Sequence, residues 1–281
     1  DVLWPSPHGG DCSLVLTNKP GPIWMLGGGA HYFSCSGADD EDAARRLDRD
    51  FAATIQAIFE QVVVVDIQSR LAVLRSPPKS LVITGGCALN VKVNSALART
   101  LGLPTHVPPA PGDNGLALGA AWILTPPPPS HHPQPIQYVG SALTSFSKNI
   151  VWSTMMSVLA DFRAVITPNV HEVAELLMNG NIIGLVRGRA EFGPRALGHR
   201  SLLSAAHKPE LKERLNRLKH RRWYRPCSPM VAAEDLQVLF EPGPDIALGS
   251  PYMSFAPPLQ PWVKKWLPGI THLDGTARPQ G

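Results

Sequence analysis

The sequence predicts an α/β chain in two parts, with an α+β pattern in the second, and three observations carry that prediction. Leu81-Val-Ile-Thr84 is a short apolar run that feeds paired glycines, Gly85 and Gly86, and then a helical pattern from about Cys87 to Thr100. Two more apolar runs, Ile182 to Val186 and Leu202 to Ala206, bracket a polar stretch, which reads as strand, loop, strand. Between these regions lies Thr125-Pro-Pro-Pro-Pro-Ser-His-His-Pro-Gln-Pro135, a proline-rich linker. The expected organisation is a first domain over residues 1–124, a linker over 125–137 and a second domain over 138–281.

Residues 1–40 are rich in Gly and Pro, with a short strand expected over Ser13 to Thr17 and a turn at the glycines 27–29. From Asp42 the pattern turns helical. Phe51, Ile55, Ile58, Phe59 and Val62 share a face, as expected of a core scaffold helix. After the strand at Leu81, Gly85 and Gly86 leave the backbone open to a base or ribose, a nucleotide-site arrangement whose alternative is a plain tight turn. Asn90 and Asn94, four apart, share a helix face. Asp113 precedes a helix of small and apolar residues, Asn114 to Leu124. It suits an N-cap, and a carboxylate at that place also suits a metal ion near phosphates.

In the second part, Val170, Val173, Ala174 and Leu177 mark a helix ending near Gly180. Pro209 opens another, with Leu211, Leu215 and Leu218 on one face, which delivers Lys219-His-Arg-Arg-Trp-Tyr-Arg-Pro226. The chain closes on His272-Leu-Asp-Gly-Thr-Ala-Arg-Pro-Gln280.

Composition narrows the function classes. With 44% hydrophobic and 17% charged residues, the chain has the makeup of a folded protein. No apolar run approaches the roughly 20 residues that a membrane helix needs. Cys12, Cys35, Cys87 and Cys227 form neither a Cys-x-x-Cys pair nor a zinc pattern, which suits a reducing, cytoplasmic setting. The net charge of +4 is unevenly spread. From Arg187 to Arg225 there are twelve Lys or Arg against three acids, so the partner of this segment should be an anion.

The loop Arg187-Gly-Arg-Ala-Glu-Phe-Gly-Pro-Arg-Ala-Leu-Gly-His-Arg-Ser201 concentrates this charge. Glu191 is its one acid. Glycines allow close backbone approach, and guanidinium forks grip phosphate or carboxylate through two hydrogen bonds. A phosphorylated substrate fits that pattern. The bland alternative is a solvated basic loop whose arginines pair with distant acids.

Taken together, Gly85 to Asn90, Pro111 to Ala121, Gly188 to Ser201, Lys219 to Pro226 and His272 to Gln280 resemble the O-carbamoyltransferases of nodulation and antibiotic pathways. The resemblance implies a partial actin-like ATPase-type domain followed by a YrdC-like domain. It implies that carbamoyl phosphate and ATP give carbamoyl-adenylate, and that the carbamoyl group then passes to a hydroxyl-bearing acceptor. It assigns Arg189, Arg195, Arg221 and Arg225 to the reacting anions. Gly85, Gly86, Asn90, Asn94, Lys219 and Arg278 fall to the ATP side, and Arg187 and Arg200 to support. Asp113 becomes a ligand to a divalent metal, iron by resemblance. The family's His-x-x-x-His pair and the first half of its actin-like domain have no counterpart here, so the expectation is a fragment, an incorrect gene model or a decayed copy. Two competing readings are a nucleic-acid-binding module using residues 208–225, with Trp223 and Tyr224 stacking on bases, and an inactive nucleotide-binding remnant.

Overall fold

A computed structural model describes residues 41–128, 136–142 and 169–281. The strand expected at Ser13 to Thr17, the glycines 27–29 and the linker histidines His131 and His132 lie outside the described residues. By contact the chain falls into two units, Asp1–Phe59 and Glu60–Gly281. The mixture of helices and small sheets agrees with the α/β expectation.

Helix α1, Glu41–Ala72, forms where the helical pattern begins. The scaffold role expected of it is not met. Phe51 is 41% exposed, Ile55 40% and Val62 57%. None of the side chains from 49 to 72 is fully buried, and Ile58 and Phe59 are half-buried.

The second unit begins its ordered pairing at strand β1, Leu81–Val82, which runs parallel to β2, Thr105–His106. A 3-10 turn over Gly86–Leu89 follows β1, and helix α2, Val91–Leu101, starts only after it. The helix expected from Cys87 is thus delayed, because Asn90 is extended and acts as the cap. Its side chain accepts from the amides of Lys92 and Val93, both at 3.2 Å. Gly102, left-handed at φ 66°, closes the helix. Helix α3, Asn114–Leu124, has no buried residue, and Leu116, Ile123 and Leu124 are 70%, 84% and 85% exposed.

Further along, helix α4, Val170–Met178, leads to the hairpin of β3, Ile183–Val186, and β4, Arg200–Leu203. The two strands are antiparallel, with Val186 opposite Arg200, so the arginine-rich loop springs from one end of a paired ladder. Helix α5, Pro209–Leu218, buries Leu211, Leu215 and Asn216. Two short helices complete the set, α6, Leu236–Leu239, and α7, Pro261–Trp266. They surround the main core of Leu236, Phe240, Ile246, Leu259, Val263, Ile270 and Ala277. Fully burying a side chain of this size contributes about 1.5–3 kcal/mol. The C-terminal half is therefore held by this core more than by its two-stranded β3–β4 sheet.

Four polar links fasten α2 to that C-terminal half. Asn94 donates to Ser254 O at 2.9 Å, and Ser95 Oγ accepts from Ala256 N at 2.8 Å. Arg99 pairs with Asp245 at 3.0 Å, and Lys92 pairs with Asp274. Phe255 adds an apolar contact with Ala88 and Val107. Among the described residues, no helix is long and apolar enough to cross a membrane.

Candidate functional site

The arginine loop is shaped by its single acid. Glu191 Oε1 accepts from the backbone amides of Leu197, His199 and Arg200, at 2.7, 2.8 and 3.1 Å. Burial alone would raise its pKa. The backbone donors outweigh burial and hold the carboxyl below its ordinary value. Glu191 therefore folds the loop and does not neutralise an arginine side chain. Gly193, at φ 126°, brings the loop so close to residue 109 that a Cβ there would sit 2.3 Å from Pro109 O. Tyr138 stacks on His199, with ring centroids 3.8 Å apart, and its hydroxyl donates to Leu197 O at 2.9 Å.

The loop's arginines separate into two kinds. Arg200 spends its guanidinium on carbonyls, donating to Arg187 O at 2.7 Å and His199 O at 2.9 Å. Arg189 donates to Val139 O at 3.1 Å and is exposed. Arg195 is partly buried, and among the described residues its side chain forms no hydrogen bond or ion pair. Burial lowers its pKa. It lines a small open cleft with Pro194, Ala88, Leu89, Pro109 and Tyr252.

A second arm begins at the end of α5. Lys219 is the exposed C-cap, and His220 turns the chain at φ 50°. Arg221 donates from Nε and Nη2 to Asn216 Oδ1, at 3.2 and 2.9 Å, and from Nη2 to Pro226 O at 3.3 Å. Arg225, Trp223 and Tyr224 are exposed.

The C-terminal segment supplies the third piece. Gln280 bridges to Met230, and its side-chain amide donates to Leu197 O at 3.1 Å, which ties the chain's end to the arginine loop. Arg278 Nε donates to Ser228 Oγ at 2.9 Å. Its pKa is pushed down to about 10 by burial first, and then by the like charges of Arg195, Arg221 and Arg225. Of the main influences, the Cys227 thiol acts in the opposite sense. Arginines from two other segments thus bear on Arg278, and among the described residues no ion pair joins any of the four to a carboxylate. Burial raises the Cys227 thiol, an effect opposed by Arg221, Lys212, Lys219 and Arg278, so Lys219 stands near the same place.

The remaining expected residues lie along β1 and α2. Gly85 and Gly86 are exposed, and a Cβ at either would meet nothing within 4 Å. Gly85 is fixed by its amide bond to Pro111 O at 2.7 Å. Asn94 does not share an open face with Asn90. It is wholly buried, donates to Ala88 O at 2.7 Å and to Ser254 O, and leaves Oδ1 without a partner. Asp113 stands at the head of α3, yet its side chain makes no capping bond because its own backbone is already helical at φ −55° and ψ −31°. Asp113 is exposed, and among the described residues no three of His, Cys, Asp or Glu gather as a metal site. These residues alone do not fit a metal centre.

Asn216 was absent from the sequence-based site. The available signal was an Asn in the last turn of an amphipathic helix, just ahead of the basic turn it organises.

Comparison with known families matches this chain twice. Residues 29–122 match the model described as carbamoyltransferase N-terminus, and residues 174–281 the carbamoyltransferase C-terminus. The first span holds Gly85 to Asp113, and the second holds the whole arginine cluster. The chain is similar to nodulation protein U of Rhizobium tropici, at 38% identity over 207 residues, 72% of this chain and 33% of that protein. It is 34% identical over 250 residues to nodulation protein U of Bradyrhizobium diazoefficiens, covering 85% of this chain and 41% of that one. It is 33% identical over 242 residues to nodulation protein NolNO of Sinorhizobium fredii, covering 83% and 34%. The chain thus spans well under half the length of these curated relatives.

Proposed function

Because the chain belongs to the carbamoyltransferase family, we propose that its arginine cluster is the anion site of a carbamoyl-adenylating enzyme. Carbamoyl phosphate and ATP bind there, carbamoyl-adenylate forms, and the carbamoyl group then passes to the oxygen of a hydroxyl-bearing small-molecule acceptor, with AMP and the hydroxyl proton leaving. For the atoms to balance, water takes the phosphate from carbamoyl phosphate, and a carbamate oxygen displaces pyrophosphate at the α-phosphorus of ATP. In this reading residues 138–281 are YrdC-like and residues 1–124 belong to an actin-like domain. Asp113 is offered as one ligand of a divalent metal, and Gly85, Gly86 and Asn90 lie on the nucleotide side, with the buried Asn94 behind them.

The observation that supports this reading is that Arg195, Arg221 and Arg225 bear on Arg278, with no ion pair from any of the four to a carboxylate among the described residues. Bringing two phosphorylated substrates together builds up negative charge. Fixed guanidiniums offset it without reorganising as the reaction proceeds. Arg195 and Arg225 have side chains free to take that role, whereas Arg200 is already engaged with carbonyls. Arg189 holds a carbonyl on an exposed edge and is the weaker member of the assigned set.

The test is pyrophosphate release from ATP by this protein, with and without carbamoyl phosphate. Release that depends on carbamoyl phosphate, and that vanishes in Arg225→Ala while the melting temperature holds, is the expected result. Salt-sensitive RNA binding without turnover would replace this reading with the nucleic-acid one.

A further inference from the structure

We propose that Asn216 is the positioning residue of the arginine arm, a role that rests on the anion-site reading above. Asn216 is 0% exposed at the end of α5. A carboxamide has two N–H donors and two acceptor lone pairs. Here all four are used on one short turn. Nδ2 donates to Trp223 O at 3.3 Å and to Arg225 O at 2.9 Å, and Oδ1 accepts from Arg221 Nε and Nη2. The Asn216 backbone carbonyl also accepts from Arg221 N at 2.8 Å. One side chain thus fixes the guanidinium of Arg221 and the main chain of Arg225.

Its neutrality matters as much as its geometry. Arg221 lies close enough to Arg278 for the two charges to repel. Left to itself, the arm would swing outward to water. An Asp at 216 would hold Arg221 more strongly, but it would cancel the charge that an incoming phosphate needs. It would also set an anion against the carbonyls of Trp223 and Arg225. An amide holds the cation and leaves its charge intact. The site is then preorganised, so the anion does not have to order the arm when it binds.

The experiment measures binding of inorganic pyrophosphate by calorimetry to the wild type, Asn216→Leu, Arg225→Ala and the double variant, each with a thermal melt. Losing the aim of a charge-assisted contact should weaken binding about tenfold or more. In the Arg225→Ala background, adding Asn216→Leu should cost much less than it does alone, because the two act through one arm. A purely structural role would give additive losses, or none, and either result overturns the proposal. If the leucine variant does not fold, Asn216→Asp carries the test. It keeps the shape and should also bind pyrophosphate weakly, and wild-type binding by Asn216→Asp would overturn the positioning role. A wild type that ignores pyrophosphate would defeat the anion site itself, and the positioning role with it. Tight wild-type binding with insensitive variants would defeat only the latter.

Discussion

Asp245 closes on Arg99 across 146 positions of the chain, with Oδ2 3.0 Å from Nε and the Asp245 side chain wholly buried. Arg99 also donates from Nη2 to Glu241 O at 3.2 Å. The pair pins α2 to the loop between Phe240 and Ile246 of the main core. Removing one member of a buried pair strands the other, at roughly 3–5 kcal/mol. Arg99 keeps some contact with water, so the lower end applies. Asp245→Ala should lower stability by about 3 kcal/mol in urea unfolding. Replacing both residues, as Asp245→Leu with Arg99→Met, should recover part of that loss. A double variant no more stable than the single would mean that the bridge is not the source of the effect.

Gly193→Ala should damage both the fold and the anion site. The new Cβ would sit 2.3 Å from Pro109 O, in a backbone conformation at φ 126° that L side chains rarely adopt. Strain of this kind costs about 1–3 kcal/mol, and the contact with rigid backbone adds to it. Gly85→Ala is the control. Its φ is 94°, yet a Cβ there meets nothing within 4 Å. A melt should show Gly193→Ala falling further than Gly85→Ala. Equal falls would separate the loop's position from its contact with Pro109.

Stability should decline as the solution is acidified from pH 6.5. His272 has its pKa lowered from 6.5 to about 4, by burial first, with Asp274 opposing and Arg278, Lys212 and Lys92 adding to the fall. Between those values the unfolded chain takes up a proton that the folded chain refuses, so stability is lost as pH drops through that window. The size is at most about 3 kcal/mol. Burial would raise Asp274, but hydrogen bonds from Lys92 and Thr276 outweigh it and bring the carboxyl down to about 2 from 3.8. Its contribution is present above pH 3.8 and lost between there and pH 2. His272→Gln should therefore flatten the slope between pH 6.5 and 4 in a melting series and leave the loss below pH 4. An unchanged upper slope would remove His272 from the account.

The arginine hairpin was legible because its two apolar runs and its glycines are local signals, and β3 and β4 lie where those runs are. Helices α3, α4 and α5 were legible for the same reason. What sequence did not reveal was partnership over long separations. Asn94 reads as sharing a helix face with Asn90, but Ser254, 160 positions away, makes it a buried strap. Glu191 reads as the loop's one acid and no more, whereas three amides of its own loop claim it. In α1 the periodicity correctly gave a helix, but it did not say that Phe51, Ile55 and Val62 would stay exposed.

Arg278 offers the sharpest trade between stability and binding. It is mostly buried beside Arg195, Arg221 and Arg225, and among the described residues its side chain has one hydrogen bond, to Ser228. Without an anion the other three charges repel Arg278, which is screened less well than the exposed Arg225. Arg278→Met keeps the length of the stem and removes the repulsion. The expected result is a variant that melts at or above the wild-type temperature in anion-free buffer. Saturating pyrophosphate should then raise the wild-type melting temperature, since a ligand at 100 times its Kd adds about 2.7 kcal/mol. The variant should gain little. Differential scanning of both proteins with and without pyrophosphate reads all four values. A wild type that gains nothing, or a variant that gains as much, would separate Arg278 from the anion. A variant that melts far below the wild type would instead make the Ser228 bond, and the packing of the stem, the reason for the residue.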